Sequence, residues 1–252
     1  MPLTIDLSGK IALVTGATGD LGCIMARTLA QCGAAVAVHF HKNRDGAVAL
    51  CAEIGGKAFA VQADVTDSAS VLAMRDAVGS ALGAPDIIVN NAVVQYPWTS
   101  VLEQGLEDYE SQFRSSVMHN VLMAKAFVPA MQKKGWGRVI AINTECAMQC
   151  YPSQSAYVSG KRGMDGVLRV LAKEIGKDGI TVNQVAPGWM NSKRTRAGDI
   201  IGREAYTKQV PLGHGGEDQD IANAVAFLAS DLAAFIHGVY LPVCGGNVMP
   251  GI

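Results

Sequence analysis

Seven short runs set the strongest limit on what this chain can fold into: "KIALVTG", "AAVAVHF", "KAFAVQADV", "DIIVNNA", "RVIAIN", "ITVNQVAPG" and "HGVYLPV". Each is continuously apolar and rich in β-branched residues. A strand with one wet face alternates apolar with polar, so an unbroken run marks a strand covered on both faces. Between most of the runs lie segments whose apolar residues recur at helical spacing, which supplies the cover. The alternation predicts an α/β fold in which helices lie above and below a doubly wound parallel sheet.

No Ser/Pro-rich linker, low-complexity tract or internal repeat divides the chain, so residues 1–252 are expected to form one domain. At 252 residues, 49% of them hydrophobic, a sizeable core is within reach. A formal net charge of −1 carries no basic footprint for nucleic acid, and no stretch is long and apolar enough for a membrane span. The opening "MPLTIDLSGK" lacks a charged-then-apolar export pattern. The expectation is a cytoplasmic protein whose six cysteines are free thiols. Cys146 and Cys150 lack Cys-x-x-Cys spacing and the five histidines are scattered, so no metal site is expected.

Two places carry chemistry. After the first run comes "TGATGDLG", with Gly16, Gly19 and Gly22 opening a helix that runs through Ile24, Met25 and Leu29 toward Gly33. Glycines there permit a tight turn and let a pyrophosphate reach backbone N–H groups at the helix start. The second place is "NTECAMQCYPSQSAYVSGK", where Tyr157 and Lys161 stand one helical turn apart and so share a face. A lysine held there is expected to lower the phenol from its ordinary value of about 10 and make it a usable proton donor. The same helix carries a stripe of Met164, Val167, Leu168, Leu171 and Ile175, and three glycines, Gly160, Gly163 and Gly166. Glycine costs up to about 1 kcal/mol against alanine in a helix interior, so these suit close approach of another backbone. That backbone belongs either to a second subunit or to another element of the same chain.

Thr15 through Gly22, Asn90-Asn91-Ala92, Tyr157 with Lys161, and Pro187-Gly188 recur in order along the chain, which from end to end resembles the short-chain dehydrogenase/reductase family. It is most similar to that family's NADP(H)-dependent 3-oxoacyl-carrier-protein reductases. The resemblance implies a Rossmann-type sheet of seven strands, a nicotinamide cofactor, a hydroxyl/carbonyl redox reaction on a small molecule, and a homodimer or homotetramer. It also implies roles. Gly16, Thr18, Gly19, Leu21 and Gly22 would border the pyrophosphate, Asp64 and Val65 the adenine, and Asn90, Asn91 and Ala92 the central ribose. Tyr157 and Lys161 would meet the nicotinamide ribose and the reacting oxygen, and Pro187 and Gly188 the carboxamide.

Several positions depart from the family pattern. Thr144, thirteen residues before Tyr157, stands for the usual serine, and Ser116 for the usual catalytic asparagine. Asp20 occupies the second glycine's place with Gly19 one residue early, and Val93 follows Asn-Asn-Ala where glycine is common. Threonine carries the same hydroxyl donor as serine, so Thr144 is expected to serve the developing oxyanion. The reading is a working site with substituted parts; the alternative is an impaired dinucleotide-binding regulatory or assembly protein on the same fold.

At the end of the second run, "VHFHKNR" offers no acid to a ribose; Phe40 stands where one is usual, and His41, Lys42 and Arg44 follow. That composition favours a 2′-phosphate, hence NADP(H) over NAD(H). The substrate pocket is expected to draw on Val94, Gln95, Tyr96, Trp98, Glu145, Gln149 and Trp189. The loop after Gly188 carries Lys193, Arg194, Arg196, Arg203 and Lys208, which is either a solvated helix or a basic lid for an anionic substrate.

Overall fold

The computed structural model describes residues 4–192 and 203–251. All seven apolar runs become strands: β1 (Ile11–Val14), β2 (Ala35–Phe40), β3 (Ala58–Gln62), β4 (Ile87–Asn90), β5 (Gly137–Ile142), β6 (Ile180–Pro187) and β7 (Tyr240–Val243). They form one parallel sheet in the order β3-β2-β1-β4-β5-β6-β7. The chain winds outward from β1 to β3, then returns to β4 on the other side of β1. Where the winding reverses, the loops leaving β1 and β4 part and open a crevice at the carboxyl ends of the strands.

The helices are α1 (Asp20–Gln31), α2 (Arg44–Ile54), α3 (Ser68–Ala81), α4 (Leu106–Gln112), α5 (His119–Lys134), α6 (Cys146–Gln149), α7 (Ser155–Ile175), α8 (Arg203–Gln209) and α9 (Asp218–Ala229). A wide π-type turn, Phe113–Met118, joins α4 to α5. Two cores flank the sheet, and alternate residues of each strand feed them. Ala12 and Val14 of β1, with Ile87 and Val89 of β4, pack against Met25 and Leu29 of α1, Leu50 of α2 and Val225 of α9. Their neighbours Leu13 and Ile88 face the other way, onto Met74 of α3, Phe127 and Met131 of α5 and Leu168 of α7. This is why the strands read as unbroken apolar runs: at roughly 1.5–3 kcal/mol for each large side chain buried, neither face can be polar without a partner.

Helix α7 buries Met164, Leu168 and Ile175 of its predicted stripe, with Ala172 beside them, while Val167 and Leu171 are only half-buried. Its glycines divide. A Cβ on Gly160 would lie 2.9 Å from the carbonyl oxygen of Gln112, and one on Gly163 would lie 2.9 Å from a methyl of Val117. Both therefore admit the α4 and π-turn segment of the same chain, so intramolecular packing accounts for them. Gly166 has nothing within 4 Å of such a Cβ. Gly166→Ala should therefore stabilise the chain by about 0.5–1 kcal/mol through helix propensity, while Gly160→Ala should destabilise it. Urea denaturation of the two variants, read as midpoints at constant m, checks the opposite signs.

Candidate active site

The glycine turn is held from three strands. The Thr15 hydroxyl accepts the N–H groups of Asn91 (2.8 Å) and Ala92 (3.1 Å), and the Asn91 side-chain amide donates to the carbonyls of Thr15 (2.9 Å) and Gly16 (3.3 Å). From the β2 side, the Nδ1 of His39 accepts the Gly16 N–H at 2.9 Å while its Nε2–H donates to the carbonyl of Ala63 at 3.1 Å. Burial pushes this imidazole down to about 4, so it stays neutral and Nδ1 keeps its lone pair for Gly16. Sequence reasoning missed His39, because a histidine inside an apolar strand announces nothing until the strand lies beside the turn it supports.

The turn is also sterically closed to larger residues. Gly16 sits at φ +64°, and a Cβ on Gly22 would come within 2.2 Å of the Gly16 carbonyl oxygen. Helix α1 then begins after Gly19, an N-cap residue with no side chain to cap it, and the start of a helix presents backbone N–H groups suited to an anion. This cradle fits a pyrophosphate, and Gly16, Thr18, Gly19, Leu21 and Gly22 are the residues that could hold it. Asp20 is the first residue of α1, where the helix dipole favours an acid.

At the adenosine end, Phe40 is buried in the core with α1 and α2, so its ring is not offered to a ligand, whereas His41, Lys42 and Arg44 are exposed. Asp64 is fixed by Thr66, whose N–H (2.8 Å) and hydroxyl (2.7 Å) both donate to its carboxylate, while its own N–H donates to the Ser70 hydroxyl at 2.8 Å. Burial raises the Asp64 carboxyl, but the two Thr66 bonds outweigh it and hold the group below its ordinary value. Val65 beside it is buried.

The second centre forms where β5 ends beneath α7. Asn143 is the joint: its Oδ1 accepts the Thr144 N–H (2.9 Å), and its Nδ2 donates to Gln184 of β6 (2.7 Å) and to the main-chain carbonyl of Lys161 (3.3 Å). The Lys161 ammonium donates to the Ile142 carbonyl at 2.6 Å and lies 5.8 Å from the centre of the Tyr157 ring. The Thr144 hydroxyl accepts the Cys146 N–H at 3.2 Å and lies beside the Tyr157 phenol. Tyr240 of β7 donates to the Thr144 carbonyl. Outside the pair, Trp98 stacks on Tyr157 with ring centres 6.0 Å apart, and the Tyr96 hydroxyl accepts the Tyr157 N–H at 2.7 Å. Three of the four residues singled out for chemistry, Thr144, Tyr157 and Lys161, are thus brought together.

Their electrostatics correct one expectation. Burial pushes the Tyr157 phenol well above its ordinary value, with the Thr144 hydroxyl pulling it partly back, and Lys161 is not among the groups that lower it. Burial also brings Lys161 down to about 8. The phenol therefore holds its proton throughout the neutral range, which is the form a proton donor needs. An acid of this kind is drawn on only when a strongly basic oxygen develops beside it.

Ser116 lies in the π-type turn. Its carbonyl accepts the Asn120 side-chain amide at 2.7 Å, and the Asn120 Oδ1 in turn accepts from Asn90 at 2.7 Å. The Ser116 hydroxyl is buried and makes no hydrogen bond among the described residues. Its link to the site is through its backbone carbonyl, by way of an asparagine one turn later that the sequence reading did not pick out. At the end of β6, the Pro187 carbonyl accepts the Glu145 N–H (2.9 Å) and the Gly188 N–H donates to Val243 (3.0 Å), which sets the Pro187-Gly188 backbone beside Thr144. Of the basic loop residues, Lys193, Arg194 and Arg196 lie outside the described residues; Arg203 and Lys208 sit on α8, with Lys208 paired to Glu204 at 2.7 Å. No three His, Cys, Asp or Glu side chains converge as a metal site among the described residues.

The Lys161 environment has a measurable signature. Its folded value of about 8 lies below its unfolded value of about 10.5, so between those pH values the unfolded chain binds the extra proton and stability rises with pH. Relative to Lys161→Met, the wild-type chain should gain up to about 3 kcal/mol between pH 8 and 10.5, and nothing below pH 7. Paired urea melts at pH 7 and pH 10 check it.

With this geometry in place, the chain can be set beside known proteins. A family model described as enoyl-(acyl carrier protein) reductase matches residues 16–247. The 3-oxoacyl-[acyl-carrier-protein] reductase FabG of Escherichia coli (strain K12) is 38% identical over 255 residues, covering 97% of this chain and 100% of that protein. Among solved structures, a 7α-hydroxysteroid dehydrogenase complexed with NADH and 7-oxo glycochenodeoxycholic acid superimposes with a TM-score of 0.90 at 32% identity, covering 97% of this chain and 96% of the other. A gluconate 5-dehydrogenase from Burkholderia cenocepacia, in complex with NADP and tartrate, also reaches 0.90, at 28% identity and 96% coverage of both chains. The order of motifs, the sheet that positions them and these chain-long matches lead to one conclusion: the protein belongs to the short-chain dehydrogenase/reductase family, oxidoreductases that act on carbonyl and hydroxyl groups with a nicotinamide dinucleotide.

Proposed function

We propose that the chain is an NADP(H)-dependent carbonyl reductase, acting as one catalytic unit over residues 1–252 and assembling as a homo-oligomer in the cytoplasm. The observation that carries the reading is that Thr144, Tyr157 and Lys161 meet at the end of β5, with the buried Thr144 hydroxyl beside the Tyr157 phenol and Lys161 one turn behind it. When bound, the cofactor supplies the hydride; the chain's own groups handle the oxygen. Thr144 and Tyr157 present two hydroxyls to one point, so the carbonyl oxygen that sits there receives two hydrogen bonds as negative charge builds on it. Tyr157 then gives up its proton to that oxygen, while Lys161, held by the Ile142 carbonyl, stands 5.8 Å from the ring centre and is placed to hold the cofactor's ribose.

The exposed His41, Lys42 and Arg44, with no acid at Phe40, support NADPH over NADH. One or two charge-assisted contacts to a 2′-phosphate at about 1.5–3 kcal/mol each would give at least a tenfold preference. Fluorescence titration with both cofactors tests it, and equal dissociation constants would sink it. The chain-long match to a 3-oxoacyl-[acyl-carrier-protein] reductase supports a 3-oxoacyl thioester as the first substrate to try on a panel of ketones and sugars.

The substituted hydroxyl gives the sharpest test of the chemistry. Thr144→Ser keeps the donor and loses only a methyl, so most of kcat should remain. Thr144→Val keeps the shape and removes the donor, and should cost about a hundred- to a thousandfold in kcat. Tyr157→Phe should abolish turnover while NADPH binding stays near wild type. If valine turned over normally while serine failed, residue 144 would be a packing position and the impaired-protein reading would gain.

A further inference from the structure

The sheet face beneath α7 is apolar along most of its length, and the pattern breaks at one level on three elements at once. On β5, Val139 and Ala141 face α7, and the next residue on that side is Asn143. On β6, Ile180 and Val182 are followed on the same side by Gln184. On α7, Asp165 stands beside the buried Met164 and one turn beyond Lys161. Asn143 and Gln184 are both buried, and a buried amide is costly unless its polar atoms find partners. The three side chains satisfy one another in a single line. Asp165 Oδ1 accepts from Gln184 Nε2 at 2.8 Å, Gln184 Oε1 accepts from Asn143 Nδ2 at 2.7 Å, and Asn143 Oδ1 accepts the Thr144 N–H at 2.9 Å. A branch runs from Asn143 Nδ2 to the Lys161 carbonyl at 3.3 Å. At the outer end, the Arg169 Nε donates to the two Asp165 oxygens at 2.8 and 3.0 Å. The direction of the line is fixed from both ends. A backbone N–H only donates and an ionised carboxylate only accepts, so turning either amide over would set N–H against N–H or oxygen against oxygen.

We propose that Asp165 and Gln184 are positioning residues for the Thr144 hydroxyl: the ion-paired carboxylate sets the sense of the Gln184 amide, Gln184 sets that of Asn143, and Asn143 holds the Thr144 peptide. Neither residue touches the reacting atoms. Without the Asp165 acceptor, the Gln184 amide is free to turn and to set its own N–H groups against those of Asn143. Asn143 then loses its acceptor, and the Thr144 N–H loses a partner of fixed orientation. The line explains why three elements give up apolar residues at the same level, next to the strand end that carries the hydroxyl. It ends at Thr144 and not in the glycine turn, and the Lys161 ammonium keeps its own bond to the Ile142 carbonyl. Breaking the line should therefore lower kcat and leave dinucleotide binding in place.

The effect on turnover rests on reading Thr144 as the oxyanion donor, so one measurement needs no turnover: hydrogen exchange at the Thr144 amide, read by NMR. Asp165→Leu keeps a side chain of similar reach and removes the acceptor, whereas Asp165→Asn keeps an oxygen that can face Gln184. The leucine variant should exchange the Thr144 amide at least tenfold faster and lose at least tenfold in kcat, with the NADPH dissociation constant within about threefold of wild type. The asparagine variant should stay within about threefold on all three. Gln184→Met keeps the length but neither donor nor acceptor, and should lose as much as the leucine variant or more. The double variant of Asp165→Leu and Gln184→Met should be no worse than Gln184→Met alone, because both changes break one line of bonds. A packing role predicts the reverse order, since leucine and methionine suit an apolar face. Leucine as active and as protected as asparagine, unaltered Thr144 exchange in Gln184→Met, or losses that multiply in the double variant would each overturn the assignment. Should Gln184→Met fail to fold, the two Asp165 variants, at a side chain 29% exposed, decide it. A wild-type chain inactive on every carbonyl would overturn the proposed function, while the exchange data would still decide the line.

Discussion

The side chain of Asn143 governs where helix α7 rests on the sheet. Its three hydrogen bonds join the Thr144 N–H, the Gln184 side chain of β6 and the Lys161 carbonyl, all in a buried setting. An amide there cannot shift without leaving donors or acceptors unmet at about 1–3 kcal/mol apiece, so the register between β5 and α7 is strongly held. Gln184 extends the hold by donating to Asp165 one turn beyond Lys161. The facing of Thr144 and Tyr157 follows from this register. Two hydroxyls on different elements can share one reacting oxygen only if neither element can slide.

The substituted positions are tolerated for different physical reasons. Thr144 keeps the hydroxyl, and its added methyl is accommodated in a residue only 6% exposed. Asp20 is taken into α1 as its first residue, where the helix dipole welcomes a carboxylate. Ser116 is tolerated because its position contributes a main-chain carbonyl, which any residue supplies, and the widened π-type turn leaves that carbonyl to be held by Asn120.

Burial shapes both centres in the same direction. His39 and Lys161 are pushed toward their neutral forms and Tyr157 is kept protonated, each by loss of solvent. At the glycine turn this keeps an acceptor for Gly16 at all ordinary pH values. At Tyr157 it keeps the proton on the phenol. The expectation that Lys161 would draw the phenol down considered only the charge and omitted desolvation, the larger effect here.

The sequence alone was enough for the seven strands, their parallel arrangement between two helical layers, the glycine turn and the pairing of Tyr157 with Lys161. Those features depend on local pattern: unbroken apolar runs mean two covered faces, and residues one turn apart share a helix face. The intramolecular fate of Gly160 and Gly163 was beyond it, because only the folded chain shows that Gln112 and Val117 lie against them. So were His39 under Gly16, Tyr240 at Thr144, Asn120 at Ser116, and the bond that Asn247 donates to the Glu145 carboxylate. Except for Asn120, one turn from Ser116, these partners are far apart along the chain, Glu145 and Asn247 by 102 residues. Such contacts leave no periodic trace. A buried polar group must find a partner, but which partner it finds is decided by the sheet order and the loops that the order brings together at the carboxyl ends of the strands.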